Sequence, residues 1–101
     1  GGSLEASLGL AAFNVEMKTR HTYQVSEWKA SENQAVEAGD VIFIGHLLKR
    51  NRVMDREETF VAPIRGTITS LLKNVKPGNF IKNDVAVGMI TPRTIPAPGL
   101  Q

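Results

Sequence analysis

The stretch "NQAVEAGDVI" at residues 33–42 returns 45 residues later as "GNFIKNDVAV" at residues 78–87. Asn33 matches Gly78, Gln34 matches Asn79, Val36 matches Ile81, Gly39 matches Asp84, and Val41-Ile42 match Ala86-Val87. A fixed internal period means that one supersecondary unit is built twice, and neither copy can bury its apolar face alone. Two halves packed face to face about a pseudo-twofold axis are therefore expected. The lead-in agrees in kind: Val25, Trp28 and Ala30 precede Asn33, while Ile68, Leu71 and Val75 precede Gly78 with two extra residues, read as a bulge. Each half is expected to run strand, turn, strand.

Turn chemistry supports this reading. Gly39 and Gly78 take positive φ at little cost, and where glycine is missing the chain offers Asn33 and the pair Asn83-Asp84, the next most tolerant residues. Phe13, Val15 and Met17 alternate with polar residues, the period of a half-buried strand. The β-branched run at residues 41–44 reads as a buried strand, Pro63 as a break at a bend or edge, and "KPGNF" as a turn. Short strands with a turn signal roughly every ten residues, and no long helical period, predict an all-β fold. The expected form is a flattened barrel or sandwich of two quasi-symmetric halves. Its core is assigned to Val25, Trp28, Val36, Val41, Phe43, Val61, Ile68, Leu71, Ile81, Val87 and Met89.

A chain of 101 residues makes one domain, expected over residues 10–92. Residues 1–9, opening Gly1-Gly2-Ser3, read as an added scar and flexible leader, and residues 93–101 as a proline-rich tail or linker. The net charge of +2 lacks the clustered excess of a nucleic-acid binder, so no nucleic-acid partner is expected. Without cysteine there is no disulfide framework and no thiolate chemistry. No stretch reaches the roughly 18–20 apolar residues of a spanning helix, so contact with a membrane would run only through a segment outside this sequence.

Catalytic constellations are absent from the pattern. His21 and His46 stand 25 residues apart, neither with a carboxylate at metal-ligand spacing, and no serine follows a sharp strand-to-helix turn. Met17, Met54 and Met89 are scattered, and no glycine loop has phosphate-cradling spacing. No enzyme activity, metal or cofactor is expected. The most unusual segment is "GHLLKRNRVMDREETF" at residues 45–60, which places Lys49, Arg50, Asn51, Arg52 and Arg56 in a charged hairpin between the halves. Cross-strand pairs of Lys49 with Asp55, or His46 with Glu58, are expected there. This hairpin is read in two ways: as a charged edge that deters aggregation, or as a docking finger for an acidic partner surface.

The words "NQAVEAGDVIFI" and "APIRGTITSLLKNVKPGNFI" resemble the two halves of a biotinyl/lipoyl-like domain, the barrel-sandwich hybrid, over roughly residues 21–92. The wording is most similar to the lipoyl-like domain of HlyD- and EmrA-type periplasmic membrane fusion proteins. Tyr23 and Asp84 stand where these families carry glycine, and their long helical insertion between the halves is replaced here by residues 45–60. The resemblance implies a non-catalytic adaptor module of a bacterial envelope transport or secretion assembly. Such a module is periplasmic or envelope-bound, anchored to the inner membrane in the full-length protein, contacts an inner-membrane transporter or another envelope component, and stacks with copies of itself. Two alternatives stay open. Carriers of this superfamily present one lysine at the hairpin tip for covalent biotin or lipoate; here the candidate is Lys49, about three residues from a midpoint counted at Arg52. The third reading is a scaffold module of a larger cytoplasmic complex.

Overall fold

The structure is a computed structural model that describes residues 13–93. The leader expected over residues 1–9 and the tail beyond Arg93 lie outside the described residues. Eight strands follow in order: β1 (Val15–Lys18), β2 (Tyr23–Trp28), β3 (Ala35–Val36), β4 (Val41–Lys49), β5 (Arg52–Val61), β6 (Gly66–Leu71), β7 (Phe80–Ile81) and β8 (Ala86–Pro92). They form two four-stranded antiparallel sheets, ordered β1-β8-β6-β3 and β5-β4-β2-β7. No helix occurs among the described residues. The two sheets are not closed into a barrel, so of the two forms expected, the sandwich is the one adopted.

The repeat is larger than the sequence suggested. Residues 15–19 are equivalent to residues 58–62, so each half contains four strands: β1 to β4, then β5 to β8. The registers prove the equivalence. Val15 faces Ile90 and Met17 faces Gly88 in the first sheet, where Glu58 faces Gly45 and Phe60 faces Phe43 in the second. Only β2·β4 and β6·β8 pair within a half; β1·β8, β3·β6, β2·β7 and β4·β5 all pair across halves. Each half thus supplies the short strand that completes the other's sheet: Val36 beside Gly66, and Ile81 beside Tyr23.

Turn hydrogen bonds repeat in the same way. Asn33 N–H donates to Ile68 O at 2.7 Å as Gly78 N–H donates to Val25 O at 2.7 Å. Gly39 N–H donates to Ala62 O at 2.8 Å as Asp84 N–H donates to Thr19 O at 3.0 Å. All four donors have positive φ: 71° at Asn33 against 94° at Gly78, and 94° at Gly39 against 65° at Asp84. The turn geometry expected from the sequence is therefore present at both copies of both turns.

The expected bulge is placed differently. Both halves carry one, between Val25 and Glu27 and between Ile68 and Ser70. The two extra residues of the second half lie instead in the loop that follows Leu71, where Asn74 has φ 65°. Bulges also correct the core. A register shift between Val41 and Phe43 lets adjacent residues Ile42 and Phe43 both point inward, each fully buried, as do Val87 and Gly88 in the second half. Strict alternation beyond that point is out of phase. Val61 is consequently 40% exposed, Val41 and Met89 are only half-buried, and Met17, Ile42, Ala62 and Ile90 take the interior. Trp28 and Leu71 pack on the core's margin, and the indole Nε1–H of Trp28 donates to Val75 O at 2.8 Å.

Side-chain volumes break the twofold symmetry. Tyr23, Phe43 and Phe60 of one sheet occupy the positions that Gly66, Gly88 and Met17 hold in the other. Phe43 stacks on Phe60 with centroids 5.1 Å apart and meets Tyr23 and Trp28 edge to face at 5.2 and 5.5 Å. Such pairs add about 0.5–1.5 kcal/mol each beyond area burial. On the glycine side the space is taken by neighbours. A Cβ at Gly88 would meet the Ser70 carbonyl and, at 3.0 Å, Leu71 Cδ2; one at Gly66 would meet Ile90 Cγ1 at 2.9 Å.

Candidate functional site

Beyond Leu47 on β4 and before Glu57 on β5, the two strands pair only with each other, apart from a bond from Leu48 N–H to Thr22 O at 2.9 Å. They form a two-stranded arm. Its loop is Arg50-Asn51, with φ of 51° and 62°, and Lys49 faces Arg52 across it. Two consecutive left-handed residues are the signature of the type I′ turn, whose twist matches that of the flanking strands. Asparagine suits such a site. Arginine does not, and its left-handed conformation costs about 1–2 kcal/mol.

The tip concentrates positive charge. Lys49, Arg50 and Arg52 are exposed, and none makes an ion pair among the described residues. Like charges directly opposite each other destabilise a strand pair, so the tip holds uncompensated cations where the register offers no acid. The expected Lys49–Asp55 and His46–Glu58 pairs do not form: Lys49 faces Arg52, His46 faces Glu57, and Glu58 faces Gly45. Arg56, grouped with the tip by sequence, is instead bridged to Glu58 at 3.5 Å.

A wide bulge causes this shift. Between the His46–Glu57 and Leu48–Val53 pairs, β4 has one residue and β5 has three. His46 holds the excess: its Nδ1 lies 2.9 Å from Met54 O and 3.0 Å from Arg56 O. Both partners are carbonyl acceptors, so Nδ1 carries the proton. The bulge also moves the hairpin centre. Lys49 sits one residue before the two-residue turn, not three residues from the tip, and is exposed.

A second feature escaped the sequence reading. An open groove of about 960 Å³ is lined on one flank by residues 16–19, mainly of β1, and on the other by residues 59–61 of β5, with Arg20, His21, Tyr23, Pro63, Asn83 and Asp84 completing it. Tyr23 is only 8% exposed and sits edge-on to His21, Phe43 and Phe60. Burial, with the nearby Glu58 charge, raises its pKa above the ordinary phenol value. The available signal was positional: Tyr23 occupies a place where the other half has glycine, so its ring has no counterpart. Thr19, at the groove's end, is buried and satisfied, donating to Lys82 O at 2.7 Å and accepting from Val85 N–H at 3.0 Å.

His21 is exposed on the groove rim, and His46 lies at the base of the arm. Among the described residues, no three His, Cys, Asp or Glu side chains are grouped to hold a metal ion. No model of a known protein family matches the chain, and no curated protein matches it either.

Proposed function

We propose that this chain is a biotinyl/lipoyl-like domain acting as a non-catalytic structural adaptor, of the kind found in HlyD- and EmrA-type membrane fusion proteins. It works by contact within a bacterial envelope assembly. The arm is its working surface, docking on an acidic patch of an inner-membrane transporter or another envelope component. One observation carries this reading: an arm between the two halves whose tip keeps Lys49, Arg50 and Arg52 exposed and unpaired. The repeat supports it, because a body whose halves complete each other's sheets is a rigid base for a projecting arm. Adapting the same fold to a contact role requires no reactive group, since function resides in the surface a fold carries.

The test is site-specific photo-crosslinking from Asn51 of the full chain in its native cells, with and without Arg50→Glu and Arg52→Glu. The expected result is a crosslink to an envelope protein that the double reversal removes. Unchanged crosslinking after reversal, or crosslinks only to cytoplasmic proteins, would refute the adaptor reading. The exposure of Lys49 beside the turn favours a second reading, a carrier lysine. Co-expression with a biotin or lipoate ligase followed by intact mass distinguishes them: the adaptor keeps its unmodified mass, whereas a mass gain at Lys49 makes it a carrier.

A further inference from the structure

We infer that the groove between β1 and β5 is a binding site for an extended polypeptide segment bearing acidic and apolar side chains, which enters as an added strand. This site is separate from the arm and does not depend on its function.

Three features define the ligand. First, among the described residues β1 and β5 are edge strands, each paired on one side only, β1 with β8 and β5 with β4, and both border the same groove. Two unpaired ladders flanking one slot call for a ligand with donors and acceptors at strand spacing, and an extended polypeptide has them. Second, the Tyr23 ring is more than nine-tenths buried in the groove wall, while its hydroxyl is not an enclosed atom and makes no hydrogen bond among the described residues, which leaves it open to a ligand in the groove. A neutral phenol can donate to a carbonyl or carboxylate.

Third, the charges at the mouth are unevenly matched. Lys18 is bridged to both Glu16 and Asp84, at 3.9 and 3.8 Å, whereas Arg20 is exposed and unpaired among the described residues. The open cation selects an acidic side chain. The apolar part of the ligand covers Phe60, Pro63 and the exposed Val61, 40% accessible on the β5 edge.

The experiment titrates the full chain, labelled with nitrogen-15, with a capped synthetic hexapeptide alternating glutamate and valine, and with the same peptide carrying lysine for glutamate. The site predicts saturable shifts confined to the amides of residues 16–20 and 58–62 with the acidic peptide alone. Arg20→Glu, an exposed position that leaves the fold intact, should weaken that binding about tenfold. Tyr23→Phe keeps the buried ring and should weaken it by about three- to tenfold through the lost hydroxyl alone. Absence of saturable shifts with either peptide overturns the proposal, as does equal binding of the basic peptide. Concentration-dependent protection of the same edges without any peptide also overturns it, since a second copy of the chain would then fill the groove.

Discussion

Alanine at Gly39 and alanine at Gly88 separate two reasons for glycine in this fold. At Gly39, φ is 94° and an added Cβ would find nothing within 4 Å, so the only penalty is the left-handed backbone, about 1–2 kcal/mol. Loss of glycine's freedom in the unfolded chain offsets about 0.4–1 kcal/mol of that. The net loss expected for Gly39→Ala is thus about 1 kcal/mol, or roughly 4–8 °C in Tm for a domain of this size. At Gly88 the φ lies outside the left-handed region, but the Cβ would run into the Ser70 carbonyl, which belongs to the paired backbone of β6 and cannot turn aside. Overpacking of this kind costs about 1–3 kcal/mol and more where backbone must shift, so Gly88→Ala should lose at least twice as much. Asn33 adds an internal control: its φ of 71° suits glycine, so Asn33→Gly should stay within about 0.5 kcal/mol of the parent while Asn33→Ala loses about 1. Urea denaturation followed by Trp28 fluorescence reads all four. Equal losses at Gly39 and Gly88, or a neutral Asn33→Ala, would refute the reasoning.

Other outcomes follow from single groups. Tyr23 is the chain's one tyrosine, so an absorbance titration of the phenol should show ionisation above the ordinary value. Because its folded pKa is raised, the stability it contributes is complete below the unfolded phenol pKa and is lost as pH rises through the folded one. Glu32 accepts a hydrogen bond from Leu71 N–H at 3.0 Å and then one from Lys73 Nζ at 3.2 Å, which together lower its pKa. Its contribution is present above the unfolded carboxyl value and is lost as pH falls through the folded one, and a carbon-13 carboxyl titration should place Glu32 below the ordinary glutamate value. Trp28→Phe removes the bond to Val75 O and should destabilise the fold by about 1 kcal/mol in thermal unfolding.

The sequence carried the turns well because turn geometry is local: a glycine or asparagine is needed where φ is positive, whatever packs nearby. That is why Asn33, Gly39, Gly78 and Asp84 were all legible. Equivalence of β1 with the end of β5 was hidden, since residues 15–19 and 58–62 share a backbone role while Met17 answers to Phe60 and Thr19 to Ala62. Packing also erased the likeness between Tyr23 and Gly66: a ring fills one position, while at the other the Thr91 carbonyl and Ile90 leave room for nothing but hydrogen. Core positions failed where bulges reset the alternation, at Ile42-Phe43 and again at Val87-Gly88. On the arm, the cations were visible as residues, but their partners were not. The wide bulge around His46 shifts β5, and no local pattern announces that an imidazole holds two carbonyls. Tyr23's groove depends on which strands are left at the sheet edges, a property of topology alone.

Cutting the chain between Arg50 and Asn51 tests the central claim most directly. Four of the six strand pairings, β1·β8, β3·β6, β2·β7 and β4·β5, join one half to the other. Circular dichroism of the separate fragments should therefore show no cooperative unfolding, and mixing them in equal amounts should restore one sharp transition and the native amide spectrum. A fragment that folds cooperatively by itself, or a mixture that stays unfolded, would contradict a body built from two mutually completing halves.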